Sequence, residues 1–109
     1  MAFTHRIYFT QPFNGRRRMN IQLPGVINSD SVVDITATEY KAETVPPNFP
    51  NERLRFLGDS NIWVSNISPH GEGSPNFGVE FAINVDFPTP VFVVVDIIVL
   101  DPPQSVSHI

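Results

Sequence analysis

Hydrophobic and polar positions alternate most regularly in the last third of the chain. Phe77, Val79, Phe81, Ile83, Val85 and Phe87 fall on every second residue, with Gly78, Glu80, Ala82, Asn84 and Asp86 between them. A period of two places six apolar side chains on one face of a strand and mostly polar ones on the other. After Pro88-Thr89-Pro90, the run Val91 to Leu100 is apolar at nearly every position. That is the pattern of a strand covered on both faces, or covered on one and pressed against another subunit on the other. The two arms are expected to pair as a long antiparallel hairpin at the centre of an all-β domain.

Earlier segments carry shorter versions of the same pattern. Phe3 to Phe9 alternates, with Phe3, His5, Ile7 and Phe9 on one face and Thr4, Arg6 and Tyr8 on the other. Asn14-Gly15 is a turn signal because both residues tolerate positive φ. Met19 to Leu23 reads as a short strand closed by Pro24-Gly25, and Val32 to Tyr40 as a β-branched, alternating one. Pro46, Pro47 and Pro50 make Thr44 to Asn51 an extended loop. Leu54 to Leu57 and Asn61 to Ile67 are further strands. The latter sets Ile62, Val64 and Asn66 against Trp63, Ser65 and Ile67, and Ser68 to Asn76 is read as a loop. No helical period occurs. The expectation is an antiparallel β-sandwich of six to seven strands over residues 1–103, with residues 104–109 as a tail. An antiparallel barrel is the alternative.

Composition narrows the class. A chain of 109 residues forms one domain and can bury roughly 65% of its unfolded surface. Without cysteine it has no disulfide, thiolate metal site or thiol nucleophile. A net charge of −4 with a single lysine, Lys41, argues against a nucleic-acid module. The N-terminus lacks the apolar core of a signal peptide, and Val91 to Leu100 is too short to span a bilayer as a helix. The chain is therefore expected to be soluble, without membrane insertion or an obvious export address.

Candidate chemistry is sparse. Arg16-Arg17-Arg18 follows the Asn14-Gly15 turn and reads either as a solvated hairpin tip or as a contact for phosphate, carboxylate or an acidic partner. His70-Gly71-Glu72 offers one imidazole and one carboxylate, fewer than a metal site needs. Ser65, Ser68 and His70 lie close in sequence but no nucleophile elbow surrounds them. Glu80 and Asp86 share a strand face about 20 Å apart at ~3.3 Å per residue, too far for joint acid–base work. The expectation is a non-enzyme with no metal or other cofactor. Asn66-Ile67-Ser68 matches a glycosylation acceptor, with Pro69 directly after it. Trp63, the only tryptophan, reads as core or as a platform for a sugar ring. Asp96, inside VVVDIIV, requires a partner if buried, and Arg6, Arg53 and Arg55 are available.

Three segments carry a family resemblance: Ile7 to Phe13, Val32 to Thr38, and Leu54 to Ile67 with the following Ser68-Pro69 and Phe77. In their order they resemble the H-type lectin domain. The resemblance implies a six-stranded antiparallel sandwich that binds galactose or N-acetylgalactosamine in shallow sites near the subunit contacts of a trimer. At the positions corresponding to that family's sites this chain carries Asn61, Trp63, Asn84 and Asp86. Asparagine amides and a carboxylate would bind sugar hydroxyls, and the indole would cover an apolar ring face.

The apolar run adds a separate expectation. If Val91, Val93, Val95, Ile97 and Val99 fill the core, then Phe92, Val94, Ile98 and Leu100 line the opposite face. A patch of that kind marks a partner surface, and a closed homo-oligomer is its simplest cover. The same feature supports the alternative of a structural assembly module, such as a phage-tail, capsid or particle component.

Overall fold

A computed structural model of the chain describes residues 2–41, 55–71 and 76–109. Among these residues the chain forms seven strands and no helix: β1 (Phe3–Tyr8), β2 (Gly15–Gln22), β3 (Val32–Tyr40), β4 (Arg55–Phe56), β5 (Asn61–His70), β6 (Gly78–Asp86) and β7 (Val93–Leu100). They build two antiparallel sheets, ordered β1-β7-β3-β4 and β2-β6-β5. The all-β sandwich expected from the alternation is the observed architecture. The expected Thr44–Asn51 loop, Arg53, Leu54 and Glu72 lie outside the described residues.

Each sheet has an inner strand, β6 in one and β7 in the other, whose apolar face fills the core. Val79, Phe81, Ile83 and Val85 from β6 meet Val93, Val95, Ile97 and Val99 from β7 in a single buried cluster that also takes in Phe9, Ile27 and Ile35. The alternation thus assigns the inward faces of both arms correctly. It does not pair them. β6 bonds to β2 and β5, whereas β7 bonds to β1 and β3, so the expected hairpin is instead an arch crossing from one sheet to the other.

The reason lies in the connection. Pro88 and Pro90 have no N–H to donate to a ladder, and two strands as apolar as these each need neighbours on both edges. Side by side, they would leave fewer apolar faces opposed across a core. The crossing is tied at its far end by Phe13 and Val91, which exchange two backbone hydrogen bonds of 3.0 Å.

β1 and β2 also lie in different sheets, so Asn14-Gly15 is no hairpin tip. Gly15 takes φ +80° and starts β2, and Asn14 Nδ2 donates to the Phe87 carbonyl at 3.0 Å. Arg16-Arg17-Arg18 is therefore strand, not turn. Arg17 points to the core side at the end of the sheet, where its guanidinium lies 5.0 Å from the Phe9 ring centroid and 5.3 Å from that of Phe13.

In β5 the pairing register shifts between Ser65 and Ser68, and Asn66 sits there at φ 57°. This bulge inserts one extra residue. It corrects the simple alternation: Ile62, Val64 and Ile67 all pack on the core, while Trp63, Ser65 and Ser68 face outward. The strand also runs on to His70, three residues past its expected end.

On the outer face of the four-stranded sheet, the expected apolar patch is split. Val94 is only 2% exposed, in a region where the Tyr8 and Tyr40 rings meet edge-on at 5.1 Å and Tyr40 lies 5.8 Å from Phe92. The Tyr40 hydroxyl donates to the Phe9 carbonyl at 2.7 Å. Phe92 and Ile98 are half-buried, and only Leu100 is exposed, next to the exposed Val32. Long aromatic side chains on neighbouring strands cover what the sequence pattern leaves open.

Candidate functional site

The polar face of β2-β6-β5 is a lattice of side chains fixed by the strand register. Successive rows across it read Asn61 with Asp86, then Arg16, Asn84 and Trp63, then Arg18, Ala82 and Ser65, then Asn20, Glu80 and Ser68. Directly opposed residues lie about 5 Å apart and rows about 7 Å apart. All four residues singled out in the sequence, Asn61, Trp63, Asn84 and Asp86, therefore occupy two adjacent rows.

Their environments differ. Asn61 and Asp86 are exposed, and Trp63 is 49% exposed, so the indole is a surface residue rather than core. Asn84 is 8% exposed and its amide is already engaged. Its Nδ2 donates to the Trp63 carbonyl at 3.3 Å and to Ser65 Oγ at 3.0 Å, and its Oδ1 accepts from Arg16 Nη1 at 3.4 Å. Asn84 is thus a support that holds Arg16 and the Trp63 backbone in place, not a free arm for a ligand.

Beside this row the face is concave. A groove of about 430 Å³ is lined by Arg16, Arg18, Asn66, Ser68, Glu80 and Ala82, with Met19 and Phe81 at its margin. Two sequence features produce it. Ala82, the smallest side chain on the middle strand's outer face apart from Gly78, leaves a dent between the Arg18 and Ser65 positions. The bulge at Asn66 breaks the β5 register between the Ser65 and Ser68 rows, and Asn66 and Ser68 line the groove there.

The arginines of this groove were not part of the expected site, although a signal exists. From Arg16 onward, Arg16, Arg18, Asn20 and Gln22 alternate with Arg17, Met19, Ile21 and Leu23. That period of two extends the short expected strand backward and separates Arg17 from its neighbours.

His70 closes the far end of the face. Its Nδ1 lies 2.6 Å from the Asn76 carbonyl oxygen and its Nε2 2.9 Å from Asn20 Oδ1. Both ring nitrogens are committed to tying the end of β5 to β2 and to the following loop. Among the described residues no three His, Asp or Glu side chains gather as a metal site would require. No helix among them is long and apolar enough to cross a membrane.

On the opposite sheet, Asp96 finds the partners its sequence context demands. Arg6 Nε and Nη2 donate to its two oxygens at 2.6 and 3.0 Å, and Arg55 Nη2 donates at 2.9 Å. The Arg6 hydrogen bond, with the charge of Arg55, holds the Asp96 carboxyl below its usual range against the opposing effect of burial. The same bond pushes the Arg6 pKa up. This clamp, two guanidiniums on one carboxylate, ties β1 and β4 to β7. Comparisons of the chain with protein-family models, with curated proteins and with solved structures find no match.

Proposed function

We propose that this protein is a non-enzymatic, lectin-like carbohydrate-binding β-sandwich that works as a homo-oligomer, with its sugar site on the outer face of β2-β6-β5. The observation that carries the reading is the position of Trp63. The one tryptophan of the chain stands half exposed on a polar sheet face, one row from Asn61 and Asp86 and beside a shallow groove. An exposed indole flanked by amide, carboxylate and guanidinium groups is what a saccharide needs: an apolar surface for one ring face, and donors and acceptors for its hydroxyls. The resemblance to H-type lectins points the same way and implies galactose- or N-acetylgalactosamine-type glycans. In this reading Asn61 and Asp86 contact hydroxyls, Trp63 covers the ring, and Asn84 positions the row.

Because Trp63 is unique, its fluorescence reports the site directly. Adding the bound glycan is expected to change the emission in a saturable way. Trp63→Ala is expected to lower affinity on a glycan array by about fivefold or more, using ~1–3 kcal/mol for a stacked ring. An array with no bound glycan, with or without calcium, sinks the reading.

The oligomer rests on the other sheet. Val32 and Leu100 are paired in register and exposed, with Ile98 beside them on the same face. Phe3 is exposed at the same end of the sheet. Light scattering after size exclusion is expected to give a multiple of 12.2 kDa, a trimer by the resemblance, and Leu100→Asp to reduce it to the monomer. A wild-type monomer at micromolar concentration counts against self-association. Large open assemblies would instead favour the alternative of a structural particle component built through the same patch.

A further inference from the structure

We propose that the groove on this face takes a saccharide carrying a carboxylate, held by Arg16 and Arg18; this rests on the carbohydrate-binding reading above and deepens it. Arg16 and Arg18 stand two residues apart on the outer face of β2, and both are exposed. At that spacing their attachment points are about 7 Å apart, close enough for both guanidiniums to converge on one anionic group. Among the described residues, the ion pairs run through Asp96 on the other sheet, and neither arginine takes part. Two adjacent unpaired cations repel each other, and an arriving anion removes that cost.

The rest of the groove fits a ring bearing that anion. Arg16 is steadied by Asn84 Oδ1 at 3.4 Å, which leaves most of its five donors free. Trp63 lies in the same row as Arg16, one position beyond Asn84, where it can cover a ring face. Asn66 and Ser68 line the groove on the β5 side. Glu80 lies one row from Arg18, on the side away from Arg16. It repels a carboxylate at that end and accepts hydroxyls there, so the ligand's acid group is directed to the arginine end. Asp86 lies beyond Arg16 on the other side and bounds the basic spot. On a chain of net charge −4, a basic spot bracketed by two carboxylates defines position and orientation rather than general attraction.

The test compares methyl galactoside with the methyl glycoside of galacturonic acid, its carboxylate free (galacturonate below), by calorimetry and Trp63 fluorescence. Wild type is expected to bind galacturonate about tenfold more tightly, the minimum for hydrogen bonds to a charged group. Arg16→Gln and Arg18→Gln are each expected to lose about tenfold more affinity for galacturonate than for galactoside. Arg17→Gln removes the same charge from the opposite side of the strand, over Phe9 and Phe13, and is expected to leave both affinities unchanged. Added salt should weaken only the galacturonate complex. Circular dichroism of each variant separates lost binding from lost fold. Equal affinity for the two sugars, or Arg16 and Arg18 variants that behave like the Arg17 variant, overturns the carboxylate inference and leaves carbohydrate binding standing. Acetate alone displacing galacturonate at comparable concentration overturns the saccharide part. No binding of any saccharide overturns both.

Discussion

Ile97→Ala is expected to cost about 2–5 kcal/mol of folding stability, the range for removing a large aliphatic side chain from a closed core. Ile97 is fully buried on the central strand of the four-stranded sheet, opposite His5 on β1 and Ile35 on β3. Its neighbours Val95 and Val99 are on the same face and buried in the same cluster as the apolar row of β6. Strands on both edges and a sheet across the core leave little freedom to collapse around the lost atoms. For a domain of this size that loss is a large part of a total stability of roughly 5–15 kcal/mol. Val106→Ala, exposed in the C-terminal tail, is the contrast and is expected to stay within about 0.5 kcal/mol. Urea denaturation of the three proteins decides it. Equal midpoints for wild type and Ile97→Ala would mean that the inward face of β7 has been assigned wrongly.

That assignment is legible in the sequence, because side chains on a strand alternate and one face must be dry. Val32 to Tyr40 has the same limits in sequence and structure for that reason. Pairing is another matter. A period of two says which residues share a face and says nothing about which strand lies alongside. So the run from Phe77 to Leu100 reads as a hairpin although its strands form an arch, and Pro88 and Pro90 favour the arch only once the neighbours are known. The bulge is invisible for a related reason. Asn66 tolerates a left-handed backbone better than most residues, but nothing local requires it to adopt one. Its effect, moving Ile67 from the Trp63 face to the core, is large because one inserted residue inverts every later position.

The site divides in the same way. Asn61, Trp63, Asn84 and Asp86 are far apart in the chain, and their gathering depends on the β5–β6 register, which long-range packing sets. Asn84 is expected to reach a ligand only because the resemblance places it at a position of that family's site; the middle strand buries it between Arg16 and Ser65 instead. Arg16 and Arg18 are candidate contacts for phosphate or carboxylate in the sequence, but as part of a turn; their place in β2, on the face that carries Asn84, comes only with the register. Asp96 was the opposite case. A carboxylate in an apolar strand has few tolerable environments, so the need for arginine partners followed from chemistry alone.

That clamp carries the second large prediction, and its sign follows from protonation. Asp96 is held below its ordinary value of 3.8 by Arg6 and Arg55, so as the pH falls through that value the unfolded chain takes up its proton before the folded chain does. The clamp's contribution is therefore fully present above the ordinary carboxylate range and is lost as the pH falls through the folded value. Asp96→Asn keeps the shape but leaves Arg6 and Arg55 facing each other without an anion. Both arginine side chains are more than a third exposed, at 36% and 39%, and water screens much of the charge. The expected loss at about pH 7 is accordingly about 1–2 kcal/mol, below the figure for a fully buried pair. Other carboxylates titrate in both proteins and shift both curves together, so the informative quantity is the gap between them. That gap should narrow steadily from about pH 5 to about pH 2, as the wild-type carboxylate becomes neutral and the two proteins become alike in charge. Urea midpoints across that range measure it. A gap that is absent at neutral pH, or that stays constant into acid, would show that the ladders of β1 on β7 and of β4 on β3 hold these strands without help from the ion pairs.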